Sequence, residues 1–324
     1  MGWPQLLLES IALSALAAAV ASSVIAVLVG LRPPLGFAPA RGADVALMAG
    51  LLPMFVAMAV AIASVLPSAL QAAGVRADHC QIHHHHRHLC ALHLDGNHVS
   101  LMGLGVLAVV VFACRGGALA WRQRTASRAV TALLRLGQQL QGREVPLTSV
   151  PGSAWLCFAT GVWRPRVVVS ATLLERLRRD ELRAALAHEE AHLHRHDTRQ
   201  LAVLVWAGLF ALPWASAAVE RVFREAAEEA CDAEAAAQVG PVVVAKALVA
   251  VAGLQLGRAP TGSLAFGDSP IERRVVALLA GSNVAVRPLA PVLAPLAMVT
   301  VALVASVASE GFHHAIESLI QRVP

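Results

Sequence analysis

The sequence predicts a mainly α, integral membrane protein: four transmembrane helices, with an α+β domain on the cytoplasmic side between the third and the fourth. Three observations lead there. Of 324 residues, 57% are hydrophobic and only 15% are charged, against roughly 25% charged in an ordinary soluble domain. Apolar runs long enough to cross a bilayer recur along the chain. The charges are concentrated rather than spread: 13 of the 25 arginines fall between Trp121 and Gln200. A mean hydropathy of +0.62, no tyrosine and one lysine, Lys246, argue further against a disulfide scaffold, a disordered chain or a simple cytosolic enzyme.

Three spans are expected within residues 1–121: about Leu6 to Leu31, with Glu9 near its outer end; Val45 to Leu70, with Pro53 and Pro67 inside; and Leu101 to Ala120. Each supplies the ~20 residues that a helix needs to cross ~30 Å of hydrocarbon. A fourth is expected within 286–308, about Pro288 to Ala308, with Pro288, Pro291 and Pro295 near its start, where a missing backbone donor matters least. No Lys or Arg precedes the first run, so a cleavable signal peptide is not expected. Positive residues favour the cytoplasmic side. Arg32 and Arg41 then place the first loop inside, the loop at about 71–100 outside, and the arginine-rich segment after the third span inside. The N-terminus and the tail 309–324 fall outside. The +5 formal charge is therefore a topology signal. Without aromatics interleaved with a basic stripe, no direct nucleic-acid partner is expected.

Residues 122–285 form the expected cytoplasmic, membrane-proximal domain. Arg122 to Gln141 reads as an amphipathic helix. Trp155–Gly161 and Arg166–Ser170 read as two strands with Gly161 and Pro165 at the turn. Ser170 can cap a following helix, and Asp180 the next, from Glu181 to about His196.

That last helix contains His188-Glu189-Glu190-Ala191-His192. Residues four apart share one helix face. Two imidazoles there can hold one zinc ion at about 2.0–2.1 Å. Glu189 can then take a proton from a water acidified by the metal during attack on a carbonyl. The pattern is expected by chance only about 0.026 times in a chain with this many His and Glu. Its bland alternative is a solvated helix face.

A catalytic zinc needs a third protein ligand. His196 lies eight residues from His188, about 12 Å along the axis, so one metal cannot bind both. His194 points off the stripe. A longer zinc motif would need glycine at 195 and histidine at 198, where Arg195 and Thr198 stand. The best candidate is Glu228, on a breaker-free helical stretch Arg224–Asp232. Asp232, one turn on, would orient a ligating histidine through its other ring nitrogen. Alone, a Glu-x-x-x-Asp pair is a weak signal.

These residues carry a resemblance. The chain resembles the membrane-embedded gluzincin metallopeptidases of the beta-lactam sensor-transducer (antirepressor) type. The match lies in Val162-Trp-Arg-Pro-Arg-Val-Val-Val169, in Glu181-Leu-Arg-Ala-Ala-Leu-Ala-His-Glu-Glu-Ala-His192, in Asp197, and in Glu228-Glu-Ala-Cys-Asp232. It covers about 150–240 and the four-span plan. It implies a gluzincin zinc-peptidase domain in a bacterial plasma membrane, one Zn2+ held by His188, His192 and Glu228, Glu189 as catalytic base, and Asp232 supporting a ligand. The relatives carry a penicillin-binding domain after the fourth span, where about 16 residues stand here, so direct beta-lactam sensing through it is not expected. Their typical substrate, a cytoplasmic winged-helix repressor, is the partner the resemblance suggests, beside membrane lipid. The stimulus and the oligomeric state stay open.

Leu201 to Ala218 is also apolar, with Pro213 and Trp214 inside. A single crossing there would carry Glu228 away from His192. A buried helix, a re-entrant segment or two half-helices bent at Pro213 remain. Asp197-Thr-Arg-Gln200 supplies a capping pattern for its start, and a cap is the expected role of Asp197. Arg221, Arg224, His194 and His196 are candidates to stabilise a tetrahedral oxyanion. Fold resemblance further suggests that substrate backbone pairs with an edge strand near Phe158 to Gly161.

The outer loop holds eight of the 14 histidines, together with Cys80 and Cys90. The two cysteines can close a disulfide on the oxidising side. The alternatives are an external copper or zinc patch and a polar loop without special chemistry. Cys114, Cys157 and Cys231 are expected to pack as small apolar groups. A metal sensor or transporter is the competing class; the near absence of polar residues in the spans beyond Glu9 disfavours transport. A catalytically silent scaffold is the third.

Overall fold

The computed structural model describes residues 2–30, 39–75, 99–140, 145–152, 156–256 and 270–280. The fourth apolar run, the tail after it and the His-rich stretch with Cys80 and Cys90 lie outside the described residues.

Three helices, α1 (Trp3–Gly30), α2 (Pro39–Ala72) and α3 (Val99–Arg135), are each long and apolar enough to cross a membrane. Val20, Val24, Val27 and Leu28 of α1 and Val106, Leu107 and Val109–Phe112 of α3 stay exposed, a surface suited to lipid. The third helix departs from expectation. A span and a separate amphipathic helix to Gln141 were expected; instead one 37-residue helix runs on to Arg135. At 1.5 Å per residue it is about 56 Å long, far more than the ~30 Å hydrocarbon layer. No glycine or proline lies between Trp121 and Arg135 to stop it. Residues 138–140, expected to be helical, form a strand.

That strand, β1 (Gln138–Leu140), joins β2 (Leu147–Val150), β3 (Cys157–Thr160) and β4 (Arg166–Ser170) in a sheet of order β1-β2-β4-β3. β2 runs parallel to β4, while β1 and β3 are antiparallel to their neighbours. Val167, Val168 and Val169 of central β4 are buried on both faces, as β-branched residues in a covered strand should be. Gly161, at φ 98, makes the turn after β3. There an added Cβ would overlap the Arg164 carbonyl. Among the described strands β3 ends the sheet, so one of its edges faces away from β4.

Ser170 caps α4 (Ala171–Arg176) by accepting from Leu173 N at 3.2 Å. α5 (Arg179–Arg195) starts two residues earlier than an Asp180 cap allows; its N-cap is Arg178, and Glu181 accepts from the Arg178 backbone N–H at 3.1 Å. Next come α6 (Asp197–Ala207), a 3-10 turn at Gly208–Phe210, α7 (Pro213–Val239), α8 (Pro241–Leu256) and α9 (Pro270–Leu279).

The apolar stretch 201–218 is thus two arms of an elbow. α6 has 11 residues, about 16 Å, too short to span, and Pro213 opens α7 as its first residue. The chain reversal strands carbonyls at the end of α6. Arg115 of α3 supplies the donors: NH1 to Ala211 O at 2.8 Å and Leu209 O at 3.1 Å, NH2 to Gly208 O at 2.8 Å. Arg115 lies within the third apolar run, so polar residues in the spans are not confined to Glu9. It contacts the protein's own backbone.

One core joins the apolar helices to those beyond them. Ile25 of α1, Leu47, Leu51 and Phe55 of α2, Leu204 of α6, and Val219, Val222 and Phe223 of α7 pack together. The second half of α7 instead packs with α5, α8 and α9, through Ala184, Ala187, Ala235, Val244 and Leu278.

α1 and α3 cross closely at Gly105, where an added Cβ would overlap the Leu8 carbonyl, whereas Gly103 has open space around it. Gly105→Ala is therefore expected to lower stability by about 1–3 kcal/mol through overpacking. Gly103→Ala should be neutral or slightly stabilising, since alanine is the better helix former. Thermal unfolding in detergent micelles separates the two; equal melting temperatures would remove the close crossing.

Candidate metal centre

α5 carries His188, Glu189 and His192, and α7 carries Glu228 and Asp232. Alanines line their shared interface: Ala184 and Ala187 of α5 are buried together with Ala235 and Ala236 of α7. Small side chains let the backbones approach, so short imidazole and carboxylate groups can meet between them.

His188 and His192 stand side by side, ring centroids 4.9 Å apart. Their outer nitrogens converge on one carboxylate: His188 Nε2 is 3.3 Å from Glu228 Oε2, and His192 Nε2 is 3.4 Å from Glu228 Oε1. The inner nitrogens each face another carboxylate. His188 Nδ1 lies 2.9 Å from Asp232 Oδ1, and His192 Nδ1 lies 2.9 Å from Asp197 Oδ2. All five residues expected from sequence at this site, Glu189 included, line one cavity of about 540 Å3.

The cap expected of Asp197 is not its role. His196, at φ 58, is the residue that both ends α5 and precedes α6, and Asp197 is already helical. Its carboxylate is buried and turned back to His192, with Arg195 Nε 3.4 Å away. Gln200, the other half of the expected box, donates to Arg195 O at 2.9 Å. Cys231 is likewise more than packing: its Sγ lies 3.2 Å from His192 Nδ1 and donates to Asp197 Oδ2 at 3.4 Å. Burial pushes its thiol up to about 12 despite His192 beside it. It is a protonated donor rather than a thiolate. Cys157 lines the cavity, its thiol raised by burial and then by Glu189.

The electrostatics follow from two buried carboxylates, Asp197 and Asp232, and the half-buried Glu228 against two imidazoles. Burial pulls both histidines down, but their partners outweigh it and leave both above the ordinary range. Asp232 and Glu228 act on His188; Asp197, Cys231 and Glu228 act on His192. Burial pushes Glu228 up, yet His188 and His192 hold it well below the usual carboxylate range. Asp232 is held low against its burial by Arg274 and His188.

Arg274, on α9, was not a candidate from sequence. Its guanidinium reaches Asp232 through Nε at 2.6 Å and NH2 at 2.8 Å, and Glu228 through NH1 at 2.9 Å. The available signal was the charged run Glu272-Arg273-Arg274 near the start of a ten-residue helix whose remaining residues are apolar. Of the four groups considered for an oxyanion, only Arg224 lines the cavity, and it donates to Glu220 Oε1 at 2.7 and 3.1 Å. His194 is exposed and faces Glu234, and His196 and Arg221 are exposed.

Edge strand β3 forms one wall. Its antiparallel register with β4, and the bond from Ser170 N to Leu156 O at 2.8 Å, turn Phe158 and Thr160 toward β4. Cys157 and Ala159 then direct their backbone groups outward. Ala159 N–H donates to Glu189 Oε2 at 2.7 Å, and Gly161 O accepts from Thr198 at 2.9 Å.

Three donors within 4.8 Å of one another can hold a metal ion. Ligands about 2.05 Å from a tetrahedral zinc lie about 3.3 Å from each other, which is the spacing from Glu228 to both histidines. The second grouping, His192, Asp197 and Cys231, uses the ring nitrogen that faces away from Glu228 and a thiol that keeps its proton, so it orients the ring.

The family model described as BlaR1 peptidase M56 matches residues 45–278. The match runs from within α2 to near the end of α9, and so takes in the elbow, the sheet and both helices of the centre. No curated protein and no solved structure matches the chain. With the match extending over most of its length, the chain belongs to the BlaR1 peptidase M56 family.

Proposed function

We propose that the chain is a zinc metalloendopeptidase of the bacterial plasma membrane. It hydrolyses peptide bonds of cytoplasmic or membrane-proximal proteins, a transcriptional repressor in a signalling pathway being the substrate that family resemblance suggests. The observation that carries this reading is the convergence of His188, His192 and Glu228, with ligand atoms within 4.8 Å of one another, beside Glu189 and the β3 edge that it contacts.

His188, His192 and Glu228 would hold the ion. Zinc, when bound, supplies a Lewis acid that polarises a peptide carbonyl and makes water acidic enough to react near neutral pH. Asp197 accepts the His192 Nδ1 proton and the Asp232 carboxylate faces His188 Nδ1 at 2.9 Å, which leaves each Nε2 free as a lone-pair donor. Glu189, next to the first histidine, accepts the proton of the attacking water and passes it to the departing amine. The outward backbone groups of Cys157 and the Ala159 carbonyl pair with an extended substrate segment, which fixes its direction across the site. The apolar wall from α8, with Val244, Leu248 and Val251, excludes water from one side. The arginines that follow the third span support a site on the cytoplasmic face.

Glu189→Gln is expected to keep zinc and lose cleavage by roughly 100- to 10,000-fold, the usual range for a general base. Metal content of the purified protein and comparison of cytoplasmic proteins with wild type measure it; cleavage products that persist in the variant would rule out the peptidase. Asp197→Asn should weaken zinc binding by roughly 10- to 100-fold, read by competition with a chromophoric chelator. Unchanged affinity would reduce Asp197 to a packing role. Because both histidines are raised by their carboxylates while zinc needs them neutral, zinc must displace protons, and its affinity should rise with pH. Calorimetry in buffers of different ionisation enthalpy should therefore report net proton release; net uptake would contradict the assigned ligands.

A further inference from the structure

The carboxylates of the centre are themselves held from outside the two helices that bear them. Resting on the zinc reading above, we propose that Arg274 is the positioning residue of the metal centre: one guanidinium fixes Glu228 as ligand and Asp232 as the support of His188.

The geometry carries this in three steps. Glu228 is the least enclosed ligand, its side chain 39% exposed, against 11% for His188 and 14% for His192. A glutamate with that freedom loses rotamer entropy when it binds a metal. Arg274 NH1, 2.9 Å from Glu228 Oε2, restricts it beforehand. Second, the other edge of the same guanidinium takes both oxygens of Asp232, at 2.6 and 2.8 Å. Such a two-pronged pair sets the carboxylate plane as well as its distance. Asp232 Oδ1 is also the atom 2.9 Å from His188 Nδ1, so holding this carboxylate holds the charge that faces the His188 ring. Third, the cation is well placed to stay. Its side chain is 16% exposed, and Leu278, one turn further along α9, is buried with Ala184 and Ala187 of α5 and Ala235 of α7. The positive charge also offsets the carboxylates gathered around the ion. A lysine in its place offers a single compact ammonium, which cannot span Asp232 and Glu228 together.

The test uses the full chain in detergent micelles, with zinc affinity from chelator competition and helicity from circular dichroism. Arg274→Gln should bind zinc roughly 10- to 100-fold more weakly, the range for lost support of a ligand. Arg274→Lys should recover only part of that loss. Arg273→Gln, which removes a cation from the same helix facing exposed Glu225 at 3.4 Å, should leave zinc affinity unchanged. In an Asp232→Asn background the Arg274→Gln loss should shrink, because part of its effect passes through Asp232. Full affinity in Arg274→Gln, or equal losses for the Arg273 and Arg274 variants, overturns the proposal. Should Arg274→Gln lose helicity, Arg274→Lys decides: wild-type affinity in that folded variant overturns it as well. A wild-type chain that binds no zinc refutes the metal reading itself, a distinguishable result.

Discussion

Two imidazoles one helical turn apart, each met at its inner nitrogen by a carboxylate of its own, look across a helix interface at a third carboxylate. The rest of the described structure bears on keeping α5 and α7 at the separation this requires. Larger residues at Ala184, Ala187, Ala235 or Ala236 would push the helices apart. Alanine also favours helix formation, so the residues that permit the approach stabilise the elements that make it. The cost is a cluster of buried charge, and it is met by pairing: His188 with Asp232, His192 with Asp197, and Arg274 with the carboxylates of α7. A buried ionic group left without its partner would be strongly destabilising.

The elbow between α6 and α7 solves a second problem. An apolar chain must go toward the hydrophobic helices and return to the same metal centre within about 30 residues. Reversal there strands backbone carbonyls where water is scarce. Arg115 satisfies three of them with a charge that reaches the turn from α3. A charge in an apolar helix is expensive unless it has a defined partner, and here the partner is main chain. The result is a fixed vertex from which α7 leaves toward Glu228.

The histidine and glutamate pattern was legible because its spacing is a helical period, and Glu228 and Asp232 because they repeat that period on a second breaker-free helix. The bent course of 201–218 was legible by exclusion, since a straight crossing would separate Glu228 from His192. Other features depend on where chain segments return in space. Asp197 looks like a helix cap by sequence, yet the left-handed backbone at His196 shifts the helix start and turns the carboxylate inward. Cys231 was read from its neighbours' periodicity, which places it off the ligand stripe but says nothing of the contact with His192. Arg274 is 42 residues beyond Asp232, and its pairing depends on how α9 lands. By sequence β1 reads as helix because its few residues follow a strongly helical run; pairing with β2 overrides that local preference.

The common core of α2 and α7 means that the catalytic unit has no clean edge. Val219, Val222 and Phe223 are buried against Leu47, Leu51 and Phe55, nine or fewer residues before Glu228 on the same helix. Cutting the chain after α3 to obtain a water-soluble fragment would uncover this apolar face at the root of the helix that carries a proposed metal ligand. The smallest autonomous unit therefore includes α2. Bilayer properties that alter the seating of α2, thickness among them, act on the same helix that carries Glu228 and Asp232.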